Sequence, residues 1–185
     1  MTTLYCLGDS LTFGAGVRVS EKWTTLAGGV NLGVPGDTTA GMLARLQKLL
    51  PEAKGKTVLL LGGTNDLFFT GSDLCARNNM AAMVHQLTAA GCRVYVGIPL
   101  PVAAEDAPEK WAGLADFRAA NAILGDYCAW LRRFCGAFDV PVVDFGKDYV
   151  NQDGSVRREL FLDGLHPNAE GHALMARRLQ EALLC

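Results

Sequence analysis

Ser10 follows a short apolar run, Leu4 to Leu7, through Gly8 and Asp9, where a strand gives way to a loop. A hydroxyl at such a corner faces substrate and can attack an electrophilic carbon, provided that a base takes its proton. Three more polar clusters each follow, or lie near the end of, an apolar segment. They are Gly33-Val34-Pro35-Gly36-Asp37, Gly63-Thr64-Asn65-Asp66 and Asp163-Gly164-Leu165-His166. Together they supply a nucleophile, backbone N–H donors, a side-chain amide and an acid–base pair. Those are the parts that acyl transfer needs.

The chain has three histidines from which to draw the base. His85 falls in the middle of a helical pattern beside Val84 and reads as a partly exposed helix residue, and His172 falls inside the last helix, where helix packing or a surface role is the default. His166 precedes Pro167, which disfavours a helical conformation for the residue before it and helps to fix a turn. Asp163 is three residues earlier, within reach of the imidazole Nδ1, where it would set the tautomer and stabilise the imidazolium formed during attack. Asp66 is a rival partner, but its place beside Asn65 suits it to bracing a loop. Asp9 is expected to hold the serine turn rather than to take a chemical step. Acyl transfer also creates an oxyanion that must meet preorganised donors. Gly36, after Pro35, can present its backbone N–H with no side chain in the way. Asn65 can add its side-chain amide, and the Ser10 N–H is a third donor.

Other motifs fit less well. Gly14-Ala15-Gly16 lacks the third glycine of a dinucleotide loop, and no phosphate-binding Gly-Lys-Ser/Thr is present. Thr12 occupies the second glycine position of Gly-x-Ser-x-Gly, so the nucleophile elbow of α/β-hydrolases is absent.

The elements that must position these residues can be read from hydrophobic patterning. Leu4 to Leu7, Val30 to Leu32, Val58 to Leu61, Val94 to Ile98 and Val140 to Val143 are short runs rich in Val, Ile and Leu, suited to strands buried on both faces of a parallel sheet. Between them lie helical stripes: Met42, Leu43, Leu46, Leu49 and Leu50; Met80, Met83, Val84 and Leu87; Phe117, Leu124, Cys128, Leu131 and Cys135. A last helix is expected from about Ala169 to Leu184 with Asn168 as its N-cap. The stripes read as core packing, and Pro99 to Pro108 as a loop. Alternating strands and helices predict an α/β fold, a three-layer α/β/α sandwich with right-handed crossovers. Sites in such sheets form at the carboxyl ends of the strands; Ser10, Gly36 and Asn65 follow the first three strands and Asp163 and His166 precede the last helix, so all can meet at that edge.

At 185 residues, half of them hydrophobic, the chain suits one domain over 1–185. A formal net charge of −2 with no Lys/Arg block argues against a nucleic-acid or anionic-membrane partner. No apolar run is long enough for a transmembrane span. The first apolar stretch lacks the basic lead-in of a secretory signal, so a cytoplasmic address is expected. The six cysteines show no Cys-x-x-Cys and no Cys/His ligand spacing, and read as small buried thiols rather than disulfides or a zinc site.

These clusters resemble the blocks of the SGNH hydrolase superfamily, the GDSL-type esterases and lipases, in order and over nearly the whole chain. Gly8-Asp9-Ser10-Leu11-Thr12-Phe13-Gly14 is similar to the first block, which implies Ser10 as nucleophile. Asn31-Leu32-Gly33-Val34-Pro35-Gly36-Asp37-Thr38 is similar to the second, and its register implies Gly36 rather than Gly33 as an oxyanion donor. Gly63-Thr64-Asn65-Asp66 is similar to the third, implying Asn65 as another donor. Asp163-Gly164-Leu165-His166-Pro167-Asn168 is similar to the last, with Asp163 and His166 completing a triad. The resemblance further implies a flavodoxin-like, five-stranded parallel sheet, no cofactor, and a small-molecule acyl ester or thioester as substrate.

Family members differ mainly in the loops around the site, here about Phe68 to Asp73 and Pro99 to Gly113. Phe68, Phe69, Leu100, Val102 and Trp111 are candidates to line an apolar acyl slot, although several could instead cover the sheet edge. That lining and the short chain favour small or medium acyl groups. The alternatives are a carbohydrate O-deacetylase or an acyltransferase with the same residues, and a non-catalytic binding module of the same fold.

Overall fold

In the computed structural model, which describes residues 3–111 and 116–184, strands and helices alternate along the chain. Strand β1 (Leu4–Gly8) leads directly into the one-turn helix α1 (Ser10–Phe13), followed by the similarly short α2 (Trp23–Leu26). Next come β2 (Val30–Gly33), α3 (Thr39–Ala53), β3 (Thr57–Leu61), α4 (Thr64–Thr70) and α5 (Leu74–Ala89). The chain continues with β4 (Arg93–Ile98), α6 (Phe117–Ala137), β5 (Val142–Asp144) and α7 (Ala169–Leu184). The five strands are parallel in the order β2-β1-β3-β4-β5, the flavodoxin-like arrangement.

Why the strands are apolar throughout is visible in the two cores. Leu7, Val58, Leu60, Val94 and Val96 face a layer made by α3, α5 and α6, with Met42, Leu46, Met80, Met83, Leu124 and Leu131 as its knobs. Leu4, Cys6, Leu59, Leu61 and Tyr95 face the other way, onto Trp23 of α2 and Met175 and Leu179 of α7. Strand residues alternate between the two cores because successive side chains point to opposite faces. The expected elements are therefore present with small boundary shifts. Strand β5 begins at Val142 rather than Val140. Pro141 has no N–H to donate, although its carbonyl still accepts from Val96 N–H at 3.0 Å. Asn168 caps α7 as expected, its Oδ1 accepting from Gly171 N–H at 3.1 Å.

The cysteines depart from the expectation of buried thiols. Cys6, Cys92 and Cys135 are buried, but Cys128 is half-buried and Cys75 exposed. Cys75 sits in the first turn of α5, off the stripe formed by Met80, Met83, Val84 and Leu87. Cys185 lies outside the described residues. Among those residues no helix is long and apolar enough to cross a membrane.

Two carboxylates lock the strand ends together. Asp66, in the first turn of α4, is buried and accepts from Thr39 N–H at 2.9 Å and Thr39 Oγ1 at 2.6 Å. It thus ties α4 to the start of α3, the bracing role anticipated for it. Asp37 accepts from Arg45 Nε and Nη2 through Oδ2, while the same guanidinium donates to Leu32 O and Gly8 O. One cation therefore gathers the ends of β1 and β2 and the loop between β2 and α3. Replacing Asp66 strands a buried backbone N–H and a hydroxyl. Asp66→Ala should therefore lose about 2–3 kcal/mol of stability in urea unfolding, whereas Arg45→Lys, which keeps charge but not the planar fork, should lose less.

Candidate active site

At the end of β1 the backbone must turn sharply into α1, and Gly8 makes this possible. A Cβ there would lie 2.2 Å from Thr12 Oγ1 and 2.3 Å from Leu61 O. Asp9 caps the new helix, its Oδ1 accepting from Leu11 N–H at 2.9 Å, as anticipated for a turn-holding residue. Ser10 is then the first helical residue, at the end where N–H groups have no intrahelical partners. A helix of four residues does not hold itself. Its carbonyls are pinned from outside: Trp23 Nε1 donates to Leu11 O and Asn31 Nδ2 to Thr12 O, both at 2.8 Å.

Trp23 is in turn fixed by His172, whose Nδ1 accepts from Trp23 N–H at 3.3 Å. Burial drives the His172 pKa down to about 4, so the ring is a neutral packing residue rather than a surface one. His85 is exposed on α5, edge-on to Phe138. Neither histidine contributes to the cavity at Ser10.

His166 arrives from the loop before α7. Asp163 organises that loop by accepting from Leu165 N–H and His166 N–H through Oδ1, and its Oδ2 lies 2.8 Å from His166 Nδ1. Across the ring, His166 Nε2 is 3.0 Å from Ser10 Oγ. Burial pushes the Asp163 carboxyl up, but hydrogen bonds from the His166 ring and backbone outweigh it and hold the group below its ordinary value. An ionised Asp163 requires Nδ1 to carry the ring proton, which leaves Nε2 free to accept from the serine hydroxyl. The loop is anchored by Ala103 N–H donating to Gly164 O at 2.8 Å. Gly164 has φ +77, and a Cβ there would meet Ala103 O at 2.4 Å.

Val34-Pro35-Gly36-Asp37 forms a turn closed by Asp37 N–H donating to Val34 O at 3.1 Å. Pro35 and Gly36 occupy its central positions, and Gly36 takes φ +75, the left-handed geometry that a type II turn demands. The space above Gly36 is open, whereas a Cβ at Gly33 would collide with Phe13 N at 2.1 Å. Gly36, not Gly33, borders the cavity. Asn65 is half-buried and donates one amide hydrogen to Asp37 O at 2.8 Å. That bond orients the amide, and its remaining N–H can serve a second acceptor.

These residues border one cavity of about 270 Å³. Ser10, Gly36, Asn65 and His166 form its polar corner, and Phe68, Phe69, Trp111, Phe117 and Leu165 its apolar wall. Phe68 packs on Phe117 with ring centroids 4.8 Å apart, and Trp111 meets His166 edge-on at 5.9 Å. Of the five residues expected to line a slot, Phe68, Phe69 and Trp111 do so. Leu100 and Val102 do not: both are buried, one in each core. Asn121 holds this segment down by accepting from Val102 N–H and donating to Val102 O. Gly113, the far end of the second loop, lies outside the described residues.

Sequence reasoning missed four contributors. Phe117 was indistinguishable from the core stripe of its own helix, and Leu165 carried the one available signal, adjacency to His166. Trp23 and Asn31 act through side chain-to-backbone bonds that leave no periodic trace. No group of His, Cys, Asp and Glu among the described residues is arranged to hold a metal ion.

Comparison with known proteins is consistent across sequence and fold. The model of the GDSL-like lipase/acylhydrolase family matches residues 6–174. Esterase TesA of Pseudomonas aeruginosa is 34% identical over 111 residues, covering 54% of this chain and 55% of that protein. The chain thus spans about half the length of that relative. Thioesterase 1/protease 1/lysophospholipase L1 of Escherichia coli K12 is 27% identical over 194 aligned positions, 96% of this chain and 83% of that one. The aryl esterase of M. smegmatis superposes with a TM-score of 0.82 at 20% identity, over 100% of this chain and 99% of that chain, which shows a shared fold.

Asp9, adjacent to the serine, is the most perturbed carboxyl in the site. Burial raises its pKa from 3.8 to about 7, against the opposing Leu11 N–H and His166, with Asp37 and Asp66 adding to the rise. Because the folded value lies above the unfolded one, the neutral acid favours folding at low pH. That contribution is lost as pH climbs through about 7. Asp9→Asn keeps an acceptor for Leu11 N–H and cannot ionise. Between pH 5 and 8 the variant should gain on the order of 2 kcal/mol relative to the parent. Paired urea titrations read this directly, and a pH-independent difference would contradict it.

Proposed function

Because the chain belongs to the GDSL-like lipase/acylhydrolase family, we propose that it is an ester-bond hydrolase working through an acyl intermediate on Ser10. Its substrates in this reading are small to medium acyl esters or thioesters. The observation that carries it is the continuous relay Asp163–His166–Ser10, with contacts of 2.8 and 3.0 Å, opening onto an apolar cavity.

His166 Nε2 takes the Ser10 proton as Oγ forms a bond to the carbonyl carbon. The carbonyl π pair moves onto oxygen, and the Ser10 N–H, the Gly36 N–H and the Asn65 amide receive that oxyanion. Collapse expels the alcohol or thiol, which takes the proton from His166. Water, deprotonated by the same Nε2, then attacks the acyl-serine and releases the acid with Ser10 restored. Asp163 stays ionised throughout and stabilises the imidazolium.

The cavity supports the substrate class. Its aromatic wall suits an acyl chain of a few carbons, and each buried methylene adds about 0.8 kcal/mol. The named relatives, an esterase and a thioesterase/lysophospholipase, agree with either an oxygen or a sulfur leaving group. In a panel of activated esters, kcat/KM should climb roughly fourfold per methylene from acetyl until the cavity is full, and then fall. A sharp preference for acetylated sugars would instead favour a deacetylase.

Ser10→Ala and His166→Ala should each lower kcat by about 10⁴-fold or more, and the double variant by little further, because the pair acts as a unit. Asn65→Ala should lower it by about 10²–10³-fold with KM little changed. A fluorophosphonate probe should label the parent and not Ser10→Ala. Undiminished hydrolysis in both Ser10→Ala and His166→Ala would overturn the mechanism.

A further inference from the structure

The three groups proposed to receive the oxyanion come from separate pieces of chain, and two of them share one support. Asp37 N–H closes the turn that presents Gly36, donating to Val34 O at 3.1 Å. The carbonyl of the same residue accepts from Asn65 Nδ2 at 2.8 Å. Asp66 ties the start of α4 to Thr39, but the Asn65 amide takes its direction from Asp37 O. The backbone of Asp37 therefore lies between the Gly36 N–H and the Asn65 amide, and a shift of it moves both. Val34, Pro35 and Gly36 are all exposed, and the turn meets the sheet through Val34 N–H donating to Gly8 O at 3.0 Å. Backbone so exposed and so sparsely bonded opens easily unless it is held from outside.

Arg45 supplies that hold. Its Nε and Nη2 donate to Asp37 Oδ2 at 3.0 and 2.7 Å. The same guanidinium donates through Nη1 to Leu32 O at 3.0 Å and through Nη2 to Gly8 O at 3.2 Å. Leu32 lies in β2, and Gly8 ends β1, two residues before Ser10. The planar fork thus sets the Asp37 side chain in register with the strand end that leads into the serine turn. Both partners are partly withdrawn from water, the Asp37 side chain to 12% exposure, so salt screens the pair less than a surface one.

Gly41 is an independent sign that the place of this carboxylate matters. It sits in the first turn of α3, where alanine is the better helix former, and its φ is not positive. A Cβ there would lie 1.8 Å from Asp37 Oδ1. The glycine makes room for the Asp37 carboxylate, not for a turn.

We infer that Arg45 is a positioning residue of the oxyanion hole, holding the Gly36 N–H and the Asn65 amide in register with the Ser10 N–H through the Asp37 carboxylate. This role rests on the acyl-transfer reading above. Arg45 does not border the cavity at Ser10 and touches no reacting atom. Its effect falls on the transition state, where charge develops on oxygen, and hardly on the neutral ester as it binds.

The test is steady-state hydrolysis of p-nitrophenyl butanoate by Arg45→Lys and Gly41→Ala, at a temperature where circular dichroism shows each variant folded. Arg45→Lys keeps the charge and loses the fork, so kcat should fall about 10–100-fold with KM within about twofold of the parent. Affinity for butylboronic acid, which forms a tetrahedral adduct on the serine, should fall by about the same factor as kcat/KM. Gly41→Ala favours the helix yet displaces the carboxylate, and should lower kcat at least about fivefold. In an Asn65→Ala background, where one of the two dependent donors is gone, Arg45→Lys should cost at least about threefold less. Unchanged kcat in Arg45→Lys, a loss carried by KM instead, undiminished boronate affinity, full kcat in Gly41→Ala, or the same cost with and without Asn65 would each overturn the role. A parent whose hydrolysis survives Ser10→Ala undiminished would overturn the acyl-transfer reading itself, and this role with it.

Discussion

Ser10 and His166 are 156 positions apart, and their 3.0 Å contact forms only if two short pieces of backbone are held from outside. One is a single helical turn and the other is a loop, and neither has enough internal hydrogen bonding to fix its own geometry. The serine turn hangs from Trp23 and Asn31, which hold its carbonyls, and from Asp9, which holds the Leu11 N–H. The histidine loop hangs from Asp163 and from Ala103, which reaches it from beyond the end of β4. A displacement of about 1 Å in either would lengthen the contact past useful hydrogen-bond range.

The same edge of the sheet concentrates negative charge, and each carboxylate is managed differently. Asp37 is paired with Arg45, whose fork also binds two strand-end carbonyls. Asp66 is satisfied by neutral donors from Thr39. Among the described residues Asp9 accepts from one backbone N–H, that of Leu11, and burial lifts its pKa to about 7. While protonated, below about pH 7, Asp9 adds no second full anion near the serine to compete with Asp163 for the imidazolium.

Much of this was legible in the chain because the physics that builds it is local or periodic. Five apolar runs announced a sheet buried on both faces, and the alternation of Leu59 and Leu61 against Val58 and Leu60 shows why no polar face interrupted them. Pro35-Gly36 encoded its own turn. His166 stood out because Pro167 kept it from a helix. The cavity wall was less legible. Leu100 and Val102 are as apolar as Phe68 and Phe69, yet they turn into the two cores, Val102 held there by the Asn121 clasp. Phe117 serves core and cavity together, so its place in a helical stripe hid its second surface. Trp23 reaches Leu11 O through a contact that no spacing rule anticipates.

The account rests on Ser10 Oγ becoming the acyl carrier, and this is accessible to one measurement. The protein is mixed with p-nitrophenyl butanoate, quenched in acid within the first turnover, and digested for mass spectrometry. The account predicts a butanoyl group on the peptide containing Ser10, appearing in step with the first equivalent of p-nitrophenol. Release of that first equivalent with the Ser10 peptide unmodified would contradict it.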